Sequence, residues 1–190
     1  MTTPLFELDR YLIRRKVLKI FGQSFHVYDG DRVVGFSKLK AFKLKEDIRV
    51  YASESMGTEL LHIHARQIID FHAAYDILDS ETGEKVGAAR RKGFSSMVRD
   101  SWELLDANDQ PIAKLQEDSM MMAMVRRFLS NLVPQTFHLD DGGGQPVKFK
   151  QRFNPFIFKL DVDIPSSCGI DRRLIFGAAV LIAAIEGRQK

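Results

Sequence analysis

From Leu174 to Ile185 the chain runs LIFGAAVLIAAI, twelve residues without one polar side chain. As an α-helix this run is about 18 Å long at ~1.5 Å per residue. That falls short of the ~20 apolar residues needed to cross a bilayer core. A helix that is apolar all round has no face for water, so a soluble chain keeps it only by building a wall around it. Small residues (Gly177, Ala178, Ala179, Ala183, Ala184) let such a wall approach, and large ones (Leu174, Ile175, Phe176, Val180, Leu181, Ile182, Ile185) fill the remaining space. Asp171 stands where an N-cap is needed, which puts the central helix at about 171–187. Arg172 and Arg173 then fall in its first turn, where the helix dipole disfavours cations. They require acidic neighbours or a task outside the helix.

The rest of the chain reads as that wall. Four stretches share one idiom: an aromatic, an apolar run, an Asp, a tight turn and a second apolar run. They are FHVYDGDRVVGF from Phe25, YDILDSETGEKVGA from Tyr75, WELLDANDQPIAKL from Trp102 and FHLDDGGGQPVKF from Phe137. Asp, Asn and Gly supply the turn conformations of hairpins. IRVYAS from Ile48 and ELLHIHAR from Glu59 flank the turn signal ESMGT, and Tyr11–Arg15 makes a further strand. Phe42 and Leu44 alternate with Lys43 and Lys45; Phe156, Phe158, Leu160 and Val162 alternate with Ile157, Lys159, Asp161 and Asp163. Such alternation buries one face and wets the other. One more helix is expected from about Asp118 to Leu129, ended by Pro134. About twelve half-wet antiparallel strands and one apolar helix predict a mainly β fold, a closed barrel enclosing its C-terminal helix. The alternative is a two-sheet sandwich with the helix across one open end. With 190 residues and no linker-like segment, the expectation is a single domain over 1–190.

The stretches YLIRRKVLKIFGQSFHVYD, AFKLKEDIRVYASES, YDILDSETGEKVGAARRKG, FKQRFNPFIFKLDVDI and DRRLIFGAAVLIAAIEGRQ together resemble the tubby C-terminal-like superfamily, most closely its LURP-one-related branch. The resemblance spans nearly the whole chain from Tyr11. It implies a twelve-stranded antiparallel barrel threaded by a hydrophobic C-terminal helix. Phospholipid scramblases belong to the same superfamily, and tubby proteins bind phosphoinositide headgroups through basic residues on the barrel surface.

The chain carries no GxSxG, P-loop, HExxH or Rossmann fingerprint, so no catalytic residues and no cofactor are expected. His62 and His64 leave one face of a predicted strand, with Leu61, Ile63 and Ala65 on the buried side. A metal would need further ligands that nothing local supplies, so no metal site is expected. The acidic turns Asp79–Glu84 and Asp140–Gly144 lack the ligand spacing of a calcium loop. The single cysteine, Cys168, allows no internal disulfide. The opening MTTPLFELDRYLIRR has acidic residues and no apolar core of a signal peptide, so a cytoplasmic location is expected, peripheral at the inner face of a membrane.

The remaining clue is basic. Lys148, Lys150 and Arg152 alternate with Val147, Phe149 and Gln151 and so share an outer face. Lys43 and Lys45 do likewise, with Lys38 and Lys40 nearby. Lysines on wet strand faces can be ordinary solvation. Where several converge they form an anion site, worth about 1 kcal/mol per cation beside an anionic membrane. The net charge of +3 allows this without demanding it. Nucleic acid is not an expected partner, since the aromatics serve the core alternation rather than a stacking series. Three readings stand: a non-enzymatic barrel binding anionic phospholipid headgroups, a protein-interaction scaffold exposing apolar surface near Met120–Met124, and, more weakly, scramblase-like activity.

Overall fold

The computed structural model describes residues 4–16, 22–39, 47–66, 74–91, 101–117, 134–140, 142–154 and 156–186. Twelve strands follow a short 3-10 turn, Pro4–Glu7. They are β1 (Arg10–Arg15), β2 (Gln23–Asp29), β3 (Arg32–Leu39), β4 (Asp47–Tyr51), β5 (Glu59–Ala65) and β6 (Ala74–Asp79). After these come β7 (Lys85–Arg91), β8 (Ser101–Leu105), β9 (Pro111–Glu117), β10 (Thr136–Asp140), β11 (Val147–Gln151) and β12 (Lys159–Asp163). Helix α1 (Arg172–Glu186) ends the described chain. Each strand pairs antiparallel with the next in sequence, and β12 returns onto β1 from Arg10↔Asp163 to Arg14↔Lys159. The sheet is therefore closed, without edges to cover. The sandwich alternative is excluded.

An up-and-down barrel sorts its connections to two ends. One end holds the tight turns, and the Asp idiom explains them. Asp79 Oδ1 accepts the N–H groups of Glu81 (2.9 Å) and Thr82 (3.3 Å), and Gly83 follows at φ +74°. Asp106 Oδ1 accepts those of Asn108 and Gln110, both at 2.8 Å, and Asp140 Oδ1 that of Gly142 at 2.8 Å. These carboxylates replace backbone partners that a two-strand reversal leaves unpaired. The turns 30–31, 80–84, 106–110 and 142–146 and the loop 52–58 contain Asp31, Glu54, Glu81, Glu84, Asp106 and Asp109, and neither lysine nor arginine.

Period-two alternation points one side chain set inward. Ile13, Phe25, Val27, Ile48, Leu61, Ile63, Ile77, Phe149, Leu160 and Val162 are fully buried, and α1 fills the space between them. The helix enters from the turn end. Asp171 caps it, accepting the Arg173 N–H at 2.8 Å. Arg172 donates to Leu8 O (3.0 Å) and Asp9 Oδ1 (2.7 Å); Arg173 donates to Asp79 Oδ2 (2.7 Å) and to Asp171. The two first-turn arginines thus have the acidic neighbours their position demands. Phe6 and Tyr11 close over Phe176, with ring centroids 5.7 and 5.3 Å away. Helix and wall meet closely where a glycine on one receives a large side chain from the other. A Cβ on Gly177 would lie 2.8 Å from Ile77 Cδ1, and one on Gly87 2.4 Å from the Leu105 carbonyl oxygen and 3.0 Å from Leu174 Cδ1. No helix among the described residues is long and apolar enough to cross a membrane.

One expected element is corrected. The predicted inward series Phe156, Phe158, Leu160, Val162 holds for its last three members only. β12 starts at Lys159, and Phe156 is 87 % exposed. The expected helix at 118–129 and the alternating Phe42–Lys45 stretch lie outside the described residues.

Candidate functional site

The predicted basic residues are placed as follows. Lys148 and Lys150 are exposed on the outer face of β11, and Arg152 follows the strand on the same face. Lys38 is half-buried on the outer face of β3. Lys40, Lys43 and Lys45 lie outside the described residues. The strand order sets β2, β1 and β12 between Lys38 and β11, about 19 Å along the wall at ~4.8 Å per strand. Lys38 and the β11 cations therefore do not share one headgroup-sized pocket.

Arg152 is committed to structure. Its Nε and one terminal nitrogen each donate to Asp161 at 2.6 Å, and that pair raises the guanidinium pKa further. Asp161 is also the register partner of Lys150, and Asp163, the register partner of Lys148, is already paired with Arg10. The β12 register partners of both β11 lysines are therefore engaged by arginines.

Closure of the barrel adds two cations absent from the sequence expectation. Arg14 on β1 and Lys159 on β12 are direct register partners on the outer face, both half-buried. Neither makes an ion pair among the described residues, nor do Lys148 and Lys150. Directly opposed side chains stand about 5 Å apart at Cβ, and like charges there destabilise a sheet. Arg14, Lys159 and Lys150 lie on three adjacent strands at the end of the barrel away from the tight turns. Only the return of β12 onto β1 makes neighbours of residues so distant in the chain. The sequence signal was the placement of each cation on its strand's wet face, readable only once closure was assumed.

The same face presents apolar surface at its tip. The connection from β11 to β12 carries Phe153, 64 % exposed, and Phe156, 87 % exposed. Asn154 Oδ1 accepts the N–H groups of Phe156 and Ile157, each at 2.9 Å, which fixes the turn. Arg152 N–H donates to Lys159 O at 3.0 Å, holding the two strand ends together.

The histidine pair occupies a different arc. His62 Nε2 is 3.0 Å from Asp47 Oδ1, His64 Nε2 is 3.9 Å from Asp76 Oδ2, and the rings are 5.2 Å apart. The carboxylates serve arginines: Arg66 Nε sits 2.9 Å from both Asp76 oxygens, and Arg49 is 3.3 Å from Asp47 and 2.8 Å from Glu59. Burial raises the Asp76 pKa, but the Arg66 hydrogen bonds together with the charges of Arg66, Lys85 and His64 leave it lowered. Burial, then the neighbouring His62, push the His64 pKa down against the pull of Asp76 and Asp47. No group of three or more potential metal ligands stands together among the described residues. Elsewhere Lys16 and then His26, whose Nε2 is 2.8 Å away, hold the Glu54 carboxyl down to about 2. These clusters are self-neutralising lattices.

The model of the LURP-one-related family matches residues 33–183, from within β3 into α1. No curated protein and no solved structure matches the chain. The family match covers most of the sequence, and the twelve-stranded barrel threaded by its C-terminal helix is the fold that the resemblance to tubby C-terminal-like proteins implied. The chain belongs to the LURP-one-related family.

Proposed function

We propose that this barrel is a non-enzymatic, peripheral binder of anionic phospholipid surfaces, acting from the cytoplasmic side through the outer face of β11, β12 and β1. One observation carries the reading: Arg14 and Lys159 oppose each other in register, with Lys150 beside them, and none of the three makes an ion pair among the described residues. A like-charged pair opposed across strands costs stability, and a phosphate layer against that face turns the cost into attraction. The lumen is occupied by α1, so headgroups have the outside of the wall to bind. A scramblase role finds no support in α1, which is enclosed and short.

Co-sedimentation with phosphatidylcholine vesicles, with and without phosphatidylserine or phosphoinositide, tests the reading. Binding is expected to require the anionic lipid and to weaken with salt. Lys150→Gln with Lys159→Gln is expected to weaken it about fivefold per charge removed, the equivalent of about 1 kcal/mol each. The same change relieves the repulsion with Arg14, so the melting temperature is expected to hold or rise. Native protein that ignores anionic vesicles, or variants that bind them as well as the native chain, would sink the proposal.

A further inference from the structure

We infer that the β11–β12 connection is a membrane-inserting tip. Phe153 and Phe156 enter the interfacial layer of an anionic bilayer, while Lys150, Lys159 and Arg14 behind them hold the headgroups. This rests on the reading above and adds the part of the barrel that touches lipid, the depth it reaches and the orientation that follows.

Four observations converge on the tip. The first is exposure. Apolar side chains scattered singly on a surface need no explanation. Val33, Met56 and Ile112 are of that kind, 46, 41 and 37 % exposed on β3, in the 52–58 loop and on β9. Phe153 and Phe156, at 64 and 87 %, are larger, more exposed and share one short connection.

The second is rigidity. Asn154 Oδ1 holds the N–H groups of Phe156 and Ile157, Phe158 is buried, and Arg152 clamps Asp161 on the adjoining strand. Hydrogen bonds that already hold Asn154, Phe156 and Ile157 reduce the entropy lost on docking.

The third is charge. Lys150 and Lys159 flank the connection on the strands it joins, and Arg14 faces Lys159 from β1. An apolar wedge next to cations that make no ion pair among the described residues is complementary to an anionic interface, where acyl chains begin just below a phosphate layer. A neutral protein groove would match the rings but leave the cations without partners.

The fourth is polarity of the whole molecule. The opposite end carries turns with acidic residues and no lysine or arginine, and the arginines at its helix mouth, Arg172 and Arg173, are paired with Asp9, Asp79 and Asp171. An anionic surface repels that end and attracts this one. The barrel therefore docks with the β11–β12 tip down and the tight turns, with the entry of α1, facing away from the bilayer.

The test uses the full chain and phosphatidylcholine vesicles containing phosphatidylserine. Phe156→Trp reports depth; Trp102, the one native tryptophan, is 4 % exposed and gives a constant background. On vesicle binding, the new tryptophan is expected to shift to the blue and to be quenched by lipids brominated near the headgroup. Phe153→Ala with Phe156→Ala is expected to weaken binding about tenfold per ring, equivalent to about 1.4 kcal/mol each. Melting temperature and salt dependence stay as in the native chain, because both rings are exposed and the cations remain. Salt-sensitive binding that the double alanine variant retains in full, with no shift in Phe156→Trp, overturns insertion and leaves surface binding standing. Native protein that binds no anionic vesicle overturns both.

Discussion

Gly177 is the sharpest test of how tightly the barrel grips its helix. In an exposed helix, replacing glycine by alanine gains about 1 kcal/mol of propensity. Here the added Cβ would meet Ile77 Cδ1 at 2.8 Å, Cγ2 at 3.0 Å and Cγ1 at 3.1 Å. Ile77 is fully buried on β6, so it has no open space to retreat into. Overpacking of this kind costs about 1–3 kcal/mol, which outweighs the propensity gain. Gly177→Ala is therefore expected to destabilise by up to about 2 kcal/mol. For a chain of this size, each kcal/mol lowers the melting temperature by about 2–4 °C. The cause is separable. Ile77→Val removes Cδ1, the nearest atom, and alone costs about 0.5–1.5 kcal/mol. Combined with Gly177→Ala it should cost less than the two changes added, with a coupling of about 0.5–3 kcal/mol as residues in contact show. Thermal and urea unfolding of the four proteins measures it. A Gly177→Ala chain more stable than the native one, with strictly additive costs in the double variant, would refute the close approach of α1 to β6.

Gly87→Ala should be the more damaging glycine change, because its Cβ would lie 2.4 Å from the Leu105 carbonyl oxygen, and a neighbouring strand's backbone cannot rotate away; a melting temperature at or above the native value in thermal denaturation would contradict this. Ala183→Glu buries an unpaired charge against the wall, a cost of several kcal/mol against a net stability of about 5–15 kcal/mol; circular dichroism should report an unfolded or molten chain, and a native-like melt would mean the helix is not enclosed. His64, facing His62, Asp76, Asp47 and Arg66, has its folded pKa below the unfolded value of about 6.5. The unfolded chain therefore takes up the proton first, and this stability is full above that pH and lost as the pH falls below it; His64→Gln should flatten that part of the urea-stability profile, and an unchanged slope would contradict the assignment.

The architecture was legible because two strong local signals agreed. The Asp-led turns marked four hairpins, and the Asp171 cap with its apolar run marked the helix; nothing in the chain competes with either. The site was less legible, for two physical reasons. Strand periodicity was carried two residues too far at Phe156, although the Asn154–Pro155 step is a turn signal and the Asn154 side chain does break the strand there. Register across the closing seam was invisible as well. The neighbours of Arg14 are set by where β12 lands on β1, a result of closing twelve strands rather than of any local pattern. Sequence proximity grouped Lys38 with Lys40, Lys43 and Lys45, whereas the wall separates Lys38 from Lys150 by four strand spacings.

The asymmetry of the barrel follows from how its helix is anchored. An all-apolar helix must enter a closed sheet from one end, and its first turn brings Arg172 and Arg173 to that mouth. Two cations beside the positive end of a helix dipole are tolerable only where carboxylates collect. Asp9, Asp79 and Asp171 meet the need, and the acidic tight turns surround them. Burial raises the Asp79 pKa, but the Arg173 hydrogen bond and those from the Glu81 and Thr82 N–H groups leave it lowered, so the carboxylate stays ionised as the anchor requires. The turn end is thereby committed to holding the helix, and the lumen to packing it. Chemistry that faces outward is left to the walls and to the other end. There Arg14, Lys159 and Lys150 make no ion pair among the described residues, and Phe153 and Phe156 are exposed. A domain optimised for stability alone would have replaced Lys159 with an acid and Phe156 with a polar residue. Both departures fall on the same connection or the strand beside it, so the single tip proposed above accounts for the two together.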